Sequence, residues 1–202
     1  MAKVVSEGAF IGARAAGKLD QLSRGKAALA IGPGLGTNEE TWRAIRTLVA
    51  GDLPKVVDAD ALNLLARFGG TVGKNTVLTP HPGEMARLCG ADTQDIAEAP
   101  VDYARQLAQD MDCCVLLKGA TTVVAQGEDV TLSVTGCEAM ATGGSGVVLA
   151  GVIAGLMAQG MPPLDAARAG AYYHGRAGEA AKAALGSRAV TAKDILGEMR
   201  IG

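Results

Sequence analysis

Short apolar runs alternate along the chain with glycine-containing turns and amphipathic helical segments. The first run, at 28–31, ends in the glycine turn 32–36, and a helix is predicted after it, with Thr37 as N-cap and Glu40 completing a capping box. Two further units of strand, turn and helix are predicted, with strands at 55–57 and 76–79. An amphipathic helix at 99–111 and a fourth apolar strand at 113–117 follow. Since such strands are apolar on both sides, the pattern predicts a mostly parallel α/β sheet with helices on both faces.

The rest of the chain predicts a hairpin followed by two long helices. Two strands, at 121–125 and 129–134, are separated by Gln-Gly-Glu, as in a β-hairpin. A helix of small residues is predicted after the glycines at 143–146, and an alanine-rich helix at 164–185. Because no repeat, linker or charge block interrupts the chain, residues 1–202 are interpreted as one domain.

The amino-acid composition restricts the kinds of partner that the protein is expected to bind. The 202 residues are 49% hydrophobic and 20% charged, which excludes a disordered or fibrous chain. A formal net charge of −2 and only 3% aromatic residues make nucleic acid an unexpected partner. The four cysteines show no CxxC spacing and are interpreted as reduced thiols, so a cytoplasmic protein is expected. The longest apolar run, 147–158, is too short to cross a membrane, which needs roughly 20 residues.

Candidate chemistry lies where the predicted strands end, the edge at which open parallel sheets bind ligands. The turn 32–36 fails the GxGxxG fingerprint, and no Walker A motif occurs, so it is either a tight turn or a close approach of backbone to a ligand. Asp58 and Asp60 could hold hydrated Mg²⁺ beside phosphates, or Asp60 could cap a helix. His81 and Glu84, which follow the third strand, are either functional or capping residues.

Two later clusters suit an anionic ligand. The segment 118–122, Lys-Gly-Ala-Thr-Thr, offers a cation, exposed glycine backbone and two hydroxyls to a phosphate or ribose, with a plain turn as the alternative. The glycines at 143–146 precede a predicted helix, and consecutive amides at a helix N-terminus form a cradle for anionic oxygen. A glycine-rich start to a close-packed helix is the alternative explanation.

With these clusters in this order, the sequence resembles the NAD(P)H-hydrate dehydratase family, a carbohydrate-kinase-like branch of the ribokinase-like superfamily. The resemblance runs from Ile31 to about Leu196, and the combination of HPGE and ATGGSG is its most specific part. The matching segments are IGPGLGTNEETW, VVDADALNLLA, LTPHPGEMARL, VLLKGATTVVA, and MATGGSG followed by VLAG. The resemblance implies a ribokinase-like fold and an enzyme that uses ADP or ATP to dehydrate the S form of hydrated NADH or NADPH.

The resemblance also assigns residues by position. It places Gly34, Gly36 and His81 near the hydrated nicotinamide. It implies phosphoryl transfer to the substrate hydroxyl, with the glycine helix end stabilising the transferring charge. Mg²⁺ is expected with the nucleotide, and Glu84 and Asp60, with Asp58, are its candidate ligands. The nucleotide is assigned to Lys118, Gly119, Ala120, Thr121, Thr122 and Gly146, and the helix end to Gly144 and Gly146.

Two departures from the family pattern follow from the same resemblance. Val147 stands where the family has its catalytic aspartate, and Cys137-Glu138-Ala139 replaces an Asn-Pro-Gly. The family also has an extra strand-helix-strand region before the segment that corresponds to Ile31, and residues 1–25 have no counterpart to it. The sheet is therefore expected to expose an edge, and the protein is expected to form homo-oligomers. An epimerase is a second expected partner. A small-molecule kinase and a catalytically inactive nucleotide-binding module remain the alternative functions.

Overall fold

A six-stranded sheet with strand order β1-β2-β3-β4-β5-β6 forms the centre of the computed structural model, which describes residues 11–201. Strands β1 to β4 are parallel, while β5 pairs antiparallel with both β4 and β6. The strand bounds are β1 Leu29–Ile31, β2 Lys55–Val57, β3 Thr76–Leu78, β4 Cys114–Leu117, β5 Thr122–Gln126 and β6 Asp129–Ser133. The predicted parallel units and the hairpin are therefore confirmed.

Helices cover both faces of this sheet. Their bounds are α1 Ala16–Ser23, α2 Glu39–Ala50, α3 Asp60–Phe68, α4 Pro82–Cys89, α5 Thr93–Glu98, α6 Pro100–Asp110, α7 Ser145–Ala158, α8 Pro163–Leu185 and α9 Ala192–Gly197, with short 3-10 helices at Ala13–Ala15 and Glu138–Met140. Sequence patterns predicted α2, α3, α4, α6, α7 and α8 but missed α1, α5 and α9. The short helices α5 and α9 present too few turns for a clear apolar period.

The predicted N-cap of α2 was wrong by one residue. Asn38, rather than Thr37, has the extended backbone of an N-cap, and its Oδ1 accepts a hydrogen bond from the Thr41 amide at 3.2 Å. Either side chain is a good cap, so the identity of the residue cannot decide the position, which depends on where the helical backbone begins.

Two apolar layers pack on opposite faces of the sheet. One face carries α2 to α6, and the other carries α7 and the first half of α8. Cys113 packs in the first layer and Cys114 in the second, and burial raises the pKa of the Cys114 thiol to about 12. All four cysteines are free, as predicted. No helix among residues 11–201 is long and apolar enough to span a membrane.

Glycines on α8 let it approach its neighbours closely. A Cβ at Gly170 would overlap the side chain of Ile153 in α7. A Cβ at Gly175 would overlap Thr135, and one at Gly178 would overlap Met140. The segment 135–140, which leads towards α7, therefore lies directly against the α8 backbone.

Candidate functional site

The loops that follow β1, β2, β3 and β4 are tied to one another by hydrogen bonds. The Gly36 amide donates to Asp60 Oδ2 at 2.8 Å, which joins the first loop to the second. Thr79 Oγ1 donates to Asp58 Oδ1 at 2.9 Å, which joins the second loop to the third. The Lys118 amide donates to the Pro80 carbonyl oxygen at 2.8 Å, which joins the third loop to the fourth. The candidate residues after these strands therefore lie at one edge of the sheet.

A lysine lies between two buried carboxylates at this edge. Lys118 Nζ is 2.9 Å from Asp58 Oδ1 and 3.8 Å from Glu84 Oε2. Asp58 is only 2% exposed and Glu84 only 5% exposed. Removing either partner of a desolvated pair leaves an uncompensated charge, so the three groups hold one another in place. Their formal charge is −1, since two carboxylates face one ammonium.

The start of α7 presents unpaired amide donors. Its N-cap, Gly144, has a left-handed backbone (φ +89°) and offers no side-chain hydrogen bond to the helix. Ser145 donates its amide to the Thr142 carbonyl oxygen, but within residues 11–201 the amides of Gly143, Gly144, Gly146 and Val147 have no acceptor. The positive end of the helix is therefore left open to an anion.

Lys118 faces the same space as these amides. A Cβ placed on Gly146 would lie 3.4 Å from Lys118 Nζ and 4.0 Å from Asp58 Oδ2. An ammonium group therefore lies beside the open helix end, where Gly146 has no side chain. This combination of donors is suited to a phosphate. Val147, the next residue of α7, is 50% exposed and brings no carboxylate.

The turn 118–122 adds exposed backbone beside Lys118. Gly119, Ala120 and Thr121 are exposed, and Thr122 begins β5. A Cβ on Gly119 would come within 3.1 Å of the Thr121 carbonyl oxygen, so the tight turn itself favours glycine. A tight turn and a ligand contact are therefore compatible explanations for the glycine in this segment.

His81 and Glu84 form a capping box on α4. His81 Nδ1 accepts from the Gly83 and Glu84 amides, and Glu84 Oε2 accepts from the His81 amide at 2.9 Å. The His81 side chain is still 51% exposed. Capping accounts for both residues, and His81 Nε2 also lies 3.4 Å from Glu84 Oε1 although about half of the side chain is exposed.

The glycines of the first turn differ in what they require. A Cβ on Gly32 would overlap the Asp58 carbonyl oxygen, so close packing demands glycine there. Gly34 and Gly36 have φ +73° and +76°, and a Cβ on Gly34 would meet nothing within 4 Å. The space above Gly34 is therefore open.

The carboxylates proposed as magnesium ligands are partly occupied by other contacts. Asp60 does not cap α3, whose N-cap is Ala59; it accepts the Gly36 amide instead. Among residues 11–201, no group of three or more His, Cys, Asp or Glu side chains could hold a metal ion. Asp58 Oδ2 accepts no hydrogen bond from the described residues, so it is the free carboxylate oxygen nearest to α7.

Sequence analysis missed a buried contact at the first turn of α7. His174 Nε2 of α8 lies 3.3 Å from Ser145 Oγ, and both residues are buried. Burial lowers the pKa of His174 to about 4; the Ser145 backbone opposes this shift and the charge of nearby Lys118 adds to it. Only the rarity of histidine, with two in the chain, could have drawn attention to it.

Comparisons with known proteins agree with this architecture. A family model described as NAD(P)H-hydrate dehydratase matches residues 3–200. The chain is 47% identical over 174 residues to a bifunctional NAD(P)H-hydrate repair enzyme of Moorella thermoacetica, a match that covers 83% of this chain and 33% of the relative. It is 37% identical over 176 residues to an ADP-dependent (S)-NAD(P)H-hydrate dehydratase of Cenarchaeum symbiosum, with 87% and 61% covered.

A solved structure shows the same fold. The ADP/ATP-dependent NAD(P)H-hydrate dehydratase from Bacillus subtilis, co-crystallized with ATP and Mg²⁺ and soaked with CoA, has a TM-score of 0.78 and 32% identity. The match covers 86% of this chain and 64% of that one. The chain thus spans about a third of the bifunctional relative and less than two thirds of the two dehydratases.

Proposed function

Because the chain belongs to the NAD(P)H-hydrate dehydratase family, we propose that it dehydrates (S)-NAD(P)H hydrate with ADP or ATP as the phosphoryl donor. The observation that supports this most directly is the uncapped start of α7 beside Lys118. Four amides without acceptors and an ammonium fixed by buried carboxylates provide donors that need no reorganisation when a phosphate arrives.

The nucleotide phosphates are assigned to the free amides of 143–147 and to Lys118, and the exposed turn 118–122 is assigned to the rest of the nucleotide. The formal charge of −1 on Asp58, Glu84 and Lys118 would oppose a bare nucleotide anion. Mg²⁺, when bound, would neutralise phosphate charge, and Asp58 Oδ2 would hold it, since both carboxylate oxygens of Glu84 already contact His81. Asp60 keeps its bond to the Gly36 amide and shapes the neighbouring turn.

The hydrated nicotinamide is assigned to the open side of the first turn. Gly34 has free space above its backbone, Gly36 is fixed by Asp60, and the His81 ring is half exposed on the third loop. These groups belong to loops that are tied to the phosphate site through Asp58 and Thr79.

The proposed reaction has two steps. The substrate hydroxyl attacks the terminal phosphorus, its O–H proton leaves to solvent, and the nucleotide departs with the bridging oxygen. The carbon–oxygen bond then breaks, phosphate leaves, and a proton is lost from the neighbouring carbon to restore the double bond. Val147 can accept no proton, and loss of a general base typically costs about 10²- to 10⁴-fold in rate. Slow turnover is therefore expected from the natural sequence.

The test is recovery of reduced-cofactor absorbance from hydrated NADH with Mg²⁺ and ADP or ATP. Turnover that rises in Val147→Asp, but not in Val134→Asp, supports the proposal; Val134 is a valine 79% exposed in the β6 region. Nucleotide binding without turnover in any variant would favour the inactive module instead. Phosphorylation of a thiazole or pyrimidine alcohol would favour the kinase. Absence of nucleotide binding would refute all three functions.

We further propose that the protein self-associates through the edge of β1, which pairs within the described residues only with β2. An epimerase that supplies the S form is the second partner proposed. Sedimentation of the purified chain, alone and with such an epimerase, tests both associations; single non-interacting chains would refute them.

A further inference from the structure

We propose that His174 is a positioning residue that fixes the anion-binding start of α7 through its hydrogen bond to Ser145. The two atoms involved, His174 Nε2 and Ser145 Oγ, lie 3.3 Å apart on different helices. The part of this inference that concerns nucleotide affinity rests on the proposed function. The part that concerns order in the ligand-free protein stands on the geometry alone.

The start of α7 has few constraints of its own. Three of the four residues at 143–146 are glycine, and glycine loses more conformational freedom on ordering than any other residue. The helix has no side-chain cap there. Within residues 11–201, the Ser145–His174 bond is the only side-chain hydrogen bond made by residues 143–147. Ser145 is therefore the residue through which a side-chain hydrogen bond fixes these amides, beside the packing of Gly144 against Ala192.

His174 is itself held rigidly. Its neighbours on α8, Gly175 and Gly178, lie against Thr135 and Met140 without intervening side chains. The ring is only 6% exposed, and burial keeps it neutral over the physiological range, with a pKa of about 4. A neutral ring can pair with a hydroxyl without placing a second cation beside Lys118 and the positive helix end.

The test uses two substitutions at position 174 and one control on the same helix. His174→Leu removes the bond and keeps an apolar side chain, whereas His174→Gln retains a polar atom at a similar reach. Arg168→Gln is the control, because Arg168 bonds Thr131 Oγ1 of β6 at 2.7 Å rather than α7. Amide hydrogen exchange of the segment 142–148 is measured in the ligand-free protein, and MgADP binding is measured by calorimetry.

In His174→Leu, exchange of the Ser145 and Val148 amides, which are hydrogen-bonded within 142–148, should accelerate and MgADP affinity should fall, each by about tenfold, the effect of losing one net hydrogen bond. His174→Gln should recover most of both, and Arg168→Gln should change neither. Unchanged exchange in His174→Leu, or equal effects in His174→Leu and His174→Gln, would overturn the inference.

The two proposals can fail separately. A wild-type protein that binds no MgADP refutes the proposed function, while the exchange measurement still decides the role of His174. If His174→Leu does not fold, Ser145→Ala removes the same side-chain bond from the other helix. Amide exchange in the same segment must then accelerate, and wild-type exchange in that variant would refute the positioning role.

Discussion

Gly146→Ala should raise stability and weaken nucleotide binding in the same molecule. Gly146 is the second residue of α7, and a Cβ there would lie 3.4 Å from Lys118 Nζ, an ordinary contact. The variant therefore fits the ligand-free fold. Replacing a helical glycine by alanine gains about 0.5–1 kcal/mol, which for a chain of this size raises the melting temperature by roughly 1–4 °C.

Binding should change in the opposite direction, because the new methyl group would occupy the space between the ammonium and an incoming phosphate. Losing one charge-assisted hydrogen bond costs about 1.5–3 kcal/mol, or roughly 10- to 150-fold in the dissociation constant for MgADP. The matched control is Gly151→Ala in the same helix, where a Cβ would meet nothing within 4 Å.

Calorimetric titration with MgADP and thermal unfolding of the same samples provide both readouts. The control should share the gain in stability and bind like the wild type. Wild-type affinity in Gly146→Ala would show that no phosphate lies between Gly146 and Lys118. A lower melting temperature would show that the helix start is packed differently from the structure described above.

Three further predictions concern the stability of the fold. Lys55 is fully buried, its Nζ donates to the Gly51 carbonyl oxygen at 2.5 Å, and burial lowers its pKa from 10.5 to about 8. Since the unfolded chain binds this proton more tightly, stability is reduced below pH 8 and recovers between pH 8 and 10.5, by about 1 kcal/mol from pH 7 to 9. Urea unfolding should show this rise relative to Lys55→Met, a comparison that cancels the opposing ionisation of buried thiols; parallel curves would contradict it. Asp58→Asn should lower the free energy of unfolding by about 3 kcal/mol, because it breaks the buried pair with Lys118; a urea midpoint equal to the wild type would contradict this. Gly32→Ala should destabilise by at least about 2 kcal/mol and Gly34→Ala by about 1, because only the first also overlaps the Asp58 carbonyl oxygen; equal losses in thermal unfolding would refute the distinction.

Local sequence patterns were sufficient for the framework of the fold. Apolar strands punctuated by glycine predicted β1 to β4, and the Gln-Gly-Glu turn predicted the β5–β6 hairpin, because strand burial and turn chemistry are both encoded within a few residues. They also indicated that the candidate residues follow strand ends. What they could not decide was the N-cap of α2, where Thr37 and Asn38 are adjacent and chemically equivalent.

Contacts between residues far apart in the chain could not be predicted from local sequence patterns. The spacing of Asp58 and Asp60 suggested a shared metal, but Ala59 has a positive φ where α3 begins, and one carboxylate contacts Lys118 while the other contacts Gly36. His81 and Glu84 looked like isolated candidates, whereas they cap α4 together. His174 lies in an alanine-rich helix with no local motif, and its partner Ser145 is 29 residues away. Such contacts depend on how the helices are docked, which no local pattern records.

The glycines on the inner face of α8 restrict which substitutions the protein can tolerate there. A Cβ at Gly175 would overlap the Thr135 backbone, whereas one at Gly178 would overlap only the flexible side chain of Met140. A library randomised at both positions and selected only for soluble expression should therefore return glycine more strictly at 175 than at 178. Neighbouring positions that face solvent, such as Arg176, should accept most amino acids. A mutational map of this kind would trace the inner side of one helix without any knowledge of what the protein binds.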